Sequence, residues 1–243
     1  MISVWGMTDK GMVRKHNQDA CSFELIGEQD AWGVVCDGMG GAKAGDIASR
    51  MAVEIFEKYV REHGVSETME ENATVLRMAS EEANGEIFKR ASDDFDCHGM
   101  GTTLVGLMIH DDQVTVANVG DSRAYSVSKG EIKRITRDHS VVEDLVQKGE
   151  LTPDEARVHP QKNLITRAIG TAMLVRTDLY HITLHTGDAL LLCSDGLINE
   201  VTEEEIQDIL THEQEPKSCC QYLISLALAR GAQDNVTAVI FRT

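Results

Sequence analysis

The stretch AWGVVCDGMGGAKAGDIASRMAVEIFEKY, residues 31–59, contains the change of period that decides the fold. Residues 31–36 form a short apolar run rich in β-branched and aromatic side chains, which suits a buried strand. The run ends on the aspartate and glycines of DGMGG. From residue 44 to residue 59, Ile47, Met51, Ile55 and Tyr59 recur every four positions, with Ala48, Ala52 and Phe56 beside them. That spacing places them on one face of a helix. The unit is therefore a strand that stops at an Asp-Gly pair and is followed by a long helix.

Upstream, residues 2–7 and 21–26 have the same strand character and are separated by Gly, Asp and Asn. Downstream, the spacing of Leu76, Ala79, Ala83 and Ile87 predicts a second helix over 67–91, with acidic residues crowding its first half as the helix dipole favours. Residues 102–109, 114–119, 123–128 and 131–135 then read as an antiparallel meander joined by Asp-Asp, Gly-Asp and Lys-Gly turns. In residues 140–170, Thr152, Pro153 and Glu155 combine a capping threonine, a first-turn proline and an N3 glutamate, so short helices interrupt the sheet as a flap. Strands return at 179–184 and 189–193. Thr202 and Glu205 form another capping box ahead of helices over 203–210 and 217–230, and 236–242 is the closing strand.

This order of elements predicts an α+β fold, a four-layer α/β/β/α sandwich of two antiparallel sheets flanked by helix pairs, with a small helical flap. Nothing resembles a linker, so residues 1–243 are expected to form a single domain. The sequence lacks an apolar run of the roughly 18 residues a membrane span needs, and its start lacks a basic region leading into an apolar one; the expectation is a cytoplasmic protein. A formal net charge of −17 repels nucleic acids and anionic membranes alike. The six cysteines, Cys21, Cys36, Cys97, Cys193, Cys219 and Cys220, contain no CxxC pair, which argues against structural zinc, and Cys36 and Cys193 read as buried thiols.

Asp37, Asp121 and Asp195 each follow an apolar run, and Asp234 opens DNVTAVI. A single Asp-Gly pair reads first as a turn former. Several aspartates at strand ends in one chain are harder to explain that way, because turns accept Asn, Ser or Gly equally well. In a sandwich such ends can share one rim, where clustered carboxylates repel unless a cation joins them. Oxygen ligands suit Mg²⁺ or Mn²⁺, and the glycines of DGMGG let a backbone carbonyl approach. Two ions sharing a carboxylate would lower the pKa of a bridging water enough for hydroxide to attack phosphorus without a protein nucleophile.

RKHNQDA (14–20), DGMGGAKAG (37–45), GMGTT (99–103), VGDSR (119–123), SDGL (194–197) and QDN (233–235) occur in this order. With them the chain resembles the metal-dependent type 2C protein phosphatases (the PPM family), from about residue 6 to residue 240. RDHS, the HP of 159–160 and RAIG (167–170) resemble the compact bacterial members that oppose serine/threonine kinases. The resemblance implies that Asp37 bridges two core ions, Mn²⁺ or Mg²⁺, that the Gly38 carbonyl binds the second, and that Asp195 and Asp234 complete the first. It further implies that Asp19 acts through water, that Asp121 with Asp195 forms a weaker third site, and that Arg14 binds phosphate through its fork of donors.

The sequence departs from the family pattern at Met39, where animal-type enzymes carry a histidine thought to protonate the leaving group. It departs again at Ala42, where many bacterial members carry one. His16, His139 and His159 read individually as ordinary surface or capping residues. Met7, Met12, Met100 and Met108 read as core gap fillers. The resemblance implies a monomeric phosphatase acting on phosphoserine and phosphothreonine, with a serine/threonine kinase and its substrates as partners. Competing readings are a non-catalytic phosphoprotein-binding relative and a phosphatase specialised for an anti-sigma antagonist.

Overall fold

The computed structural model describes residues 1–243 apart from the side chains at 41–43. Ala42, singled out above for the histidine it replaces, lies outside the described residues. Two antiparallel sheets form the centre. One has the order β1 (Ser3–Asp9), β11 (Val236–Arg242), β10 (Ala189–Cys193), β7 (Arg123–Ser128) and β8 (Glu131–Arg134). The other runs β2 (Asp19–Ile26), β3 (Asp30–Met39), β5 (Leu104–His110), β6 (Gln113–Val119) and β9 (Asp178–Thr183), with the short β4 (Gly101–Thr102) paired to the end of β3.

Period-2 alternation explains why the central strands are apolar throughout. In β3, Trp32, Val34 and Cys36 face helices α1 (Gly41–His63) and α2 (Met69–Asp93), whereas Ala31 and Val35 face the opposite sheet. In β11, Val236, Ala238 and Ile240 pack under α5 (Asp195–Ile198), α6 (Glu203–His212) and α7 (Pro216–Ala229), and Val239 and Phe241 point between the sheets. Three apolar cores separate four layers, as the sandwich reading expects.

The meander reading is corrected. β5 and β6 pair in one sheet, but β7 and β8 belong to the other, so the chain changes sheets at Gly120–Ser122. Each hairpin is local and legible, whereas the choice of sheet depends on β9 and β10, which pair with β6 and β7 from far along the chain. The flap holds α3 (Val141–Gln147) and α4 (Pro153–Val158), and the capping boxes at Thr152–Glu155 and Thr202–Glu205 are both formed. Met100 and Met108 fill the core, but Met12 is 67% exposed, contrary to the core reading, because its loop runs outside the sheet.

Phe241 is buried between the sheets, its ring lying across Gly33. Phe241→Ala is expected to cost about 3–5 kcal/mol, through lost transfer energy and a cavity that two hydrogen-bonded sheets cannot close. Urea unfolding at unchanged slope measures it.

Candidate metal centre

The rim is assembled from both sheets. Asp19 opens β2 and Asp37 lies near the end of β3, and the two are direct cross-strand partners. Like charges opposed in this way repel. From the other sheet, Asp195 is the first residue of α5, immediately after β10 and Ser194, and Asp234 lies just before β11. Asp121 sits in the crossing from β6 to β7. Arg14, Asp37, Gly38, Asp121, Asp195 and Asp234 line one cleft of about 510 Å³. Asp19 lies behind it, only 7% exposed.

Local hydrogen bonds fix these positions. The Asp37 carbonyl accepts from the Thr103 amide at 2.9 Å and from Thr102 Oγ1 at 2.9 Å, while the Asp37 amide donates to Thr103 Oγ1 at 2.9 Å. Position 38 has no room for a side chain, since a Cβ there would stand 2.0 Å from the Gly45 carbonyl oxygen of α1. Asp19 ties the sheets together. Its Oδ2 accepts from Ser194 Oγ at 2.7 Å and from Thr237 Oγ1 at 2.6 Å.

The Asn235 side chain ties the loop bearing Arg14 at three points. Asn235 Nδ2 donates to the carbonyls of Lys10 (2.8 Å) and His16 (3.0 Å), and its Oδ1 accepts from the Gln18 amide (2.8 Å). Arg14 Nη2 reaches Asp234 Oδ2 at 2.6 Å. The guanidinium is about half exposed, and Arg14 lines the cleft.

Burial, followed by the charges of Asp19, Asp195, Asp121 and Asp234, pushes the Asp37 carboxyl well above its usual range. Burial and the neighbouring Asp195 and Asp138 charges do the same at Asp121. Asp195 is raised by burial and by Asp234, against hydrogen bonds from Asp37 and Asn199. Asp19 rises to about 7, mainly through burial, despite its two hydroxyl donors. All four shifts are those of carboxylates lacking a counter-charge.

The donor set fits a hard cation. Asp19 Oδ1 and Asp195 Oδ1 are buried acceptors without a hydrogen-bond partner, an arrangement that is costly unless something positive meets them. Every candidate ligand is oxygen, as Mg²⁺ and Mn²⁺ prefer. Among the described residues no three His, Cys, Asp or Glu side chains are grouped closely enough to hold a metal ion by themselves, so a cation here would need water or carbonyl oxygens as further ligands.

The sequence matches the family described as Protein phosphatase 2C over residues 12–222. The chain belongs to the protein phosphatase 2C family. It is 39% identical to the serine/threonine phosphatase stp of Listeria welshimeri over 233 residues, covering 96% of this chain and 92% of the relative. It is 37% identical to the protein phosphatase PhpP of Streptococcus pneumoniae, covering 96% and 94%. The solved structure of Stp1 from Staphylococcus aureus matches with a TM-score of 0.93 at 36% identity, covering 100% of this chain and 95% of that one. The catalytic domain of PstP, solved in complex with two manganese ions, matches at 0.86 and 31% identity, covering 99% and 97%.

Asn235, Ser194, Thr102 and Thr103 lie within the QDN, SDGL and GMGTT motifs, yet the sequence alone gave them no role. They act by hydrogen bonding to segments distant in the chain, which spacing does not reveal. Of the three candidate histidines, only His16 lines the cleft. His139 is 6% exposed and so is no surface residue; Asp138 and Ser140 on either side of it are buried as well.

The folded chain holds the Asp19 proton to about pH 7, and the unfolded chain loses it near 3.8. The stability from protonated Asp19 is therefore fully present below pH 3.8 and lost as pH rises to about 7. In chelator, the melting temperature is expected to fall across that window, and Mn²⁺ at pH 7.5 is expected to restore it. A melting temperature that ignores both pH and Mn²⁺ would contradict this account of the cluster.

Proposed function

We propose that residues 1–243 work as one catalytic domain that hydrolyses phosphoserine and phosphothreonine in proteins with the help of divalent cations. The observation that carries this reading is the convergence of carboxylates from both sheets, two with orphaned buried oxygens, beside a single arginine fork. Asp37 with the Gly38 carbonyl, Asp195 and Asp234 would hold two core cations, Mn²⁺ or Mg²⁺. Asp19 would act through intervening water, and Asp121 with Asp195 would take a weaker third ion. Bound cations supply a hydroxide nucleophile at neutral pH and offset phosphoryl charge.

The remaining work belongs to the chain. Arg14 presents paired donors to two phosphate oxygens and, through Asp234, stays aimed over the cleft. Asn235 fixes the loop that carries it. Among the described residues the cleft lining contains neither cysteine nor serine, and its threonine, Thr103, is committed to the Asp37 amide and Ser122. A cation-activated water is the nucleophile this reading calls for. Met39 at the cleft offers no proton, and among the described residues His16 is the imidazole that lines the cleft.

The partners we infer are a serine/threonine kinase and the proteins it phosphorylates, with the enzyme acting as a monomer in the cytoplasm. The identity of the relatives as serine/threonine and protein phosphatases supports the phosphoprotein substrate class. The free cysteines suit a reducing compartment. The net charge of −17 disfavours nucleic acid as a partner surface. A groove of about 550 Å³ between the flap and α5–α6 shares Asp121 and Asp195 with the cleft, so peptide flanking the phosphate would run under the flap.

Phosphate release from a phosphothreonine peptide is expected with Mn²⁺, to vanish with chelator, and to drop about 10²–10³-fold in Asp195→Asn. Equal release in all three arms would sink the metal reading. Arg14→Lys keeps the charge but loses the fork. Its kcat/KM is expected to fall about 10-fold or more, mostly through KM, in steady-state kinetics.

A further inference from the structure

Asp121 occupies the crossing where the chain leaves one sheet for the other inside the cleft, and its direction depends on the peptide before it. Gly120 has φ of +111°, in the left-handed region, and a Cβ there would meet the Thr103 side chain at 2.7 Å. Both peptides that meet at Gly120 are gripped by His139. The His139 amide donates to the Gly120 carbonyl at 2.9 Å, and the Gly120 amide donates back to His139 Nδ1 at 3.0 Å. Asn118 Nδ2 supports the same carbonyl at 3.2 Å.

The tautomer follows from these contacts. Nδ1 accepts a main-chain N–H and so carries no proton, which places the proton on Nε2. Nε2 lies 3.3 Å from Asp178 Oδ2, its acceptor, and Arg167 Nη1 donates to Asp178 Oδ1 at 2.8 Å. Arg167 Nη1 also stands 2.9 Å from Nε2, but both atoms carry protons, so that contact is a repulsion between donors rather than a bond. Burial first, and the Arg167 charge second, hold the imidazole below its ordinary pKa and therefore neutral. The His139 carbonyl accepts from the Thr166 amide at 2.7 Å, where the flap rejoins the core.

We propose that His139 is a positioning residue. Its Nδ1 fixes the Val119–Gly120 peptide and its amide fixes the Gly120–Asp121 peptide. This sets Gly120 and the Asp121 carboxylate after it in place, so that the weaker cation of the cleft is held through His139 without touching it. This rests on the reading of Asp121 given above. The RDHS segment thereby couples the flap's return strand to Asp121 through one residue's amide, ring and carbonyl.

Three measurements on the full chain test it. In ¹⁵N-labelled wild-type protein, a scalar coupling across the hydrogen bond is expected between the Gly120 amide nitrogen and His139 Nδ1; its absence would overturn the grip. Asn places an acceptor where Nδ1 lies, and Gln places one where Nε2 lies. His139→Gln is therefore expected to weaken the low-affinity phase of Mn²⁺ binding about tenfold, read by electron paramagnetic resonance of free Mn²⁺, with the tight phase unchanged. His139→Asn is expected to return it to within about threefold of wild type. In an Asp121→Asn background His139→Gln is expected to change Mn²⁺ binding no further, the signature of coupled residues. Equal weakening by Gln and Asn, or an undiminished effect of Gln in that background, would overturn the positioning role. Unchanged Mn²⁺ binding in Asp121→Asn alone would instead remove Asp121 from the cation site, a separate failure that the wild-type coupling distinguishes.

Discussion

The structure depends on carboxylates that repel one another being fixed in place by scaffolds too rigid to let them part. Asp19 and Asp37 face each other across hydrogen-bonded strands, while Asp195 and Asp234 arrive from the neighbouring sheet. Neither sheet can relax this crowding alone, because each aspartate is set by a strand end or helix start whose other side is packed into a core. The repulsion is stored in the fold, and on the function proposed above it is what would draw cations to an acidic chain. A surface of charge −17 has little attraction for phosphate. A cluster that bound cations would gain that attraction locally.

The hydrogen bonds behind the aspartates show how tightly the rim is specified. Thr8 Oγ1 lies 2.7 Å from Thr237 Oγ1, which donates to Asp19, and Thr103 Oγ1 lies 2.7 Å from Ser122 Oγ beside Asp121. These short side chains have little rotamer freedom to lose, so they position carboxylates at small entropic cost. Asn235 does comparable work for the Arg14 loop, since an amide alone offers donors and an acceptor on one short stem. The flap lies beside this rim, meeting the core by a bridge between Ser140 and Ile165 and by the Thr166–His139 bond.

The layered fold was legible because burial on two faces leaves a mark that can be read locally. Continuous runs such as WGVVC and ALLLC announce central strands, and the four-residue recurrence from Ile47 to Tyr59 announces a helix on one side. The sheet change between β6 and β7 left no such mark. A Gly-Asp turn looks the same whether the next strand returns to its neighbour or crosses to another sheet, and the partners that decide it, β9 and β10, come much later. Met12 and His139 were misread for a related reason, since exposure belongs to the path of a loop and not to the residue type.

By itself, then, the sequence determined the elements, the sandwich and the set of aspartates at element ends, because periodicity and turn chemistry act over a few residues. The motifs in order added the family. Only the tertiary structure decided which of those ends meet: Asp19 opposite Asp37, Asp121 at a sheet crossing gripped by His139, and Arg14 bonded to Asp234 from the far end of the chain. Those contacts join residues separated by as much as 220 positions. Their energies depend on burial and distance, which arise only when both sheets close on each other.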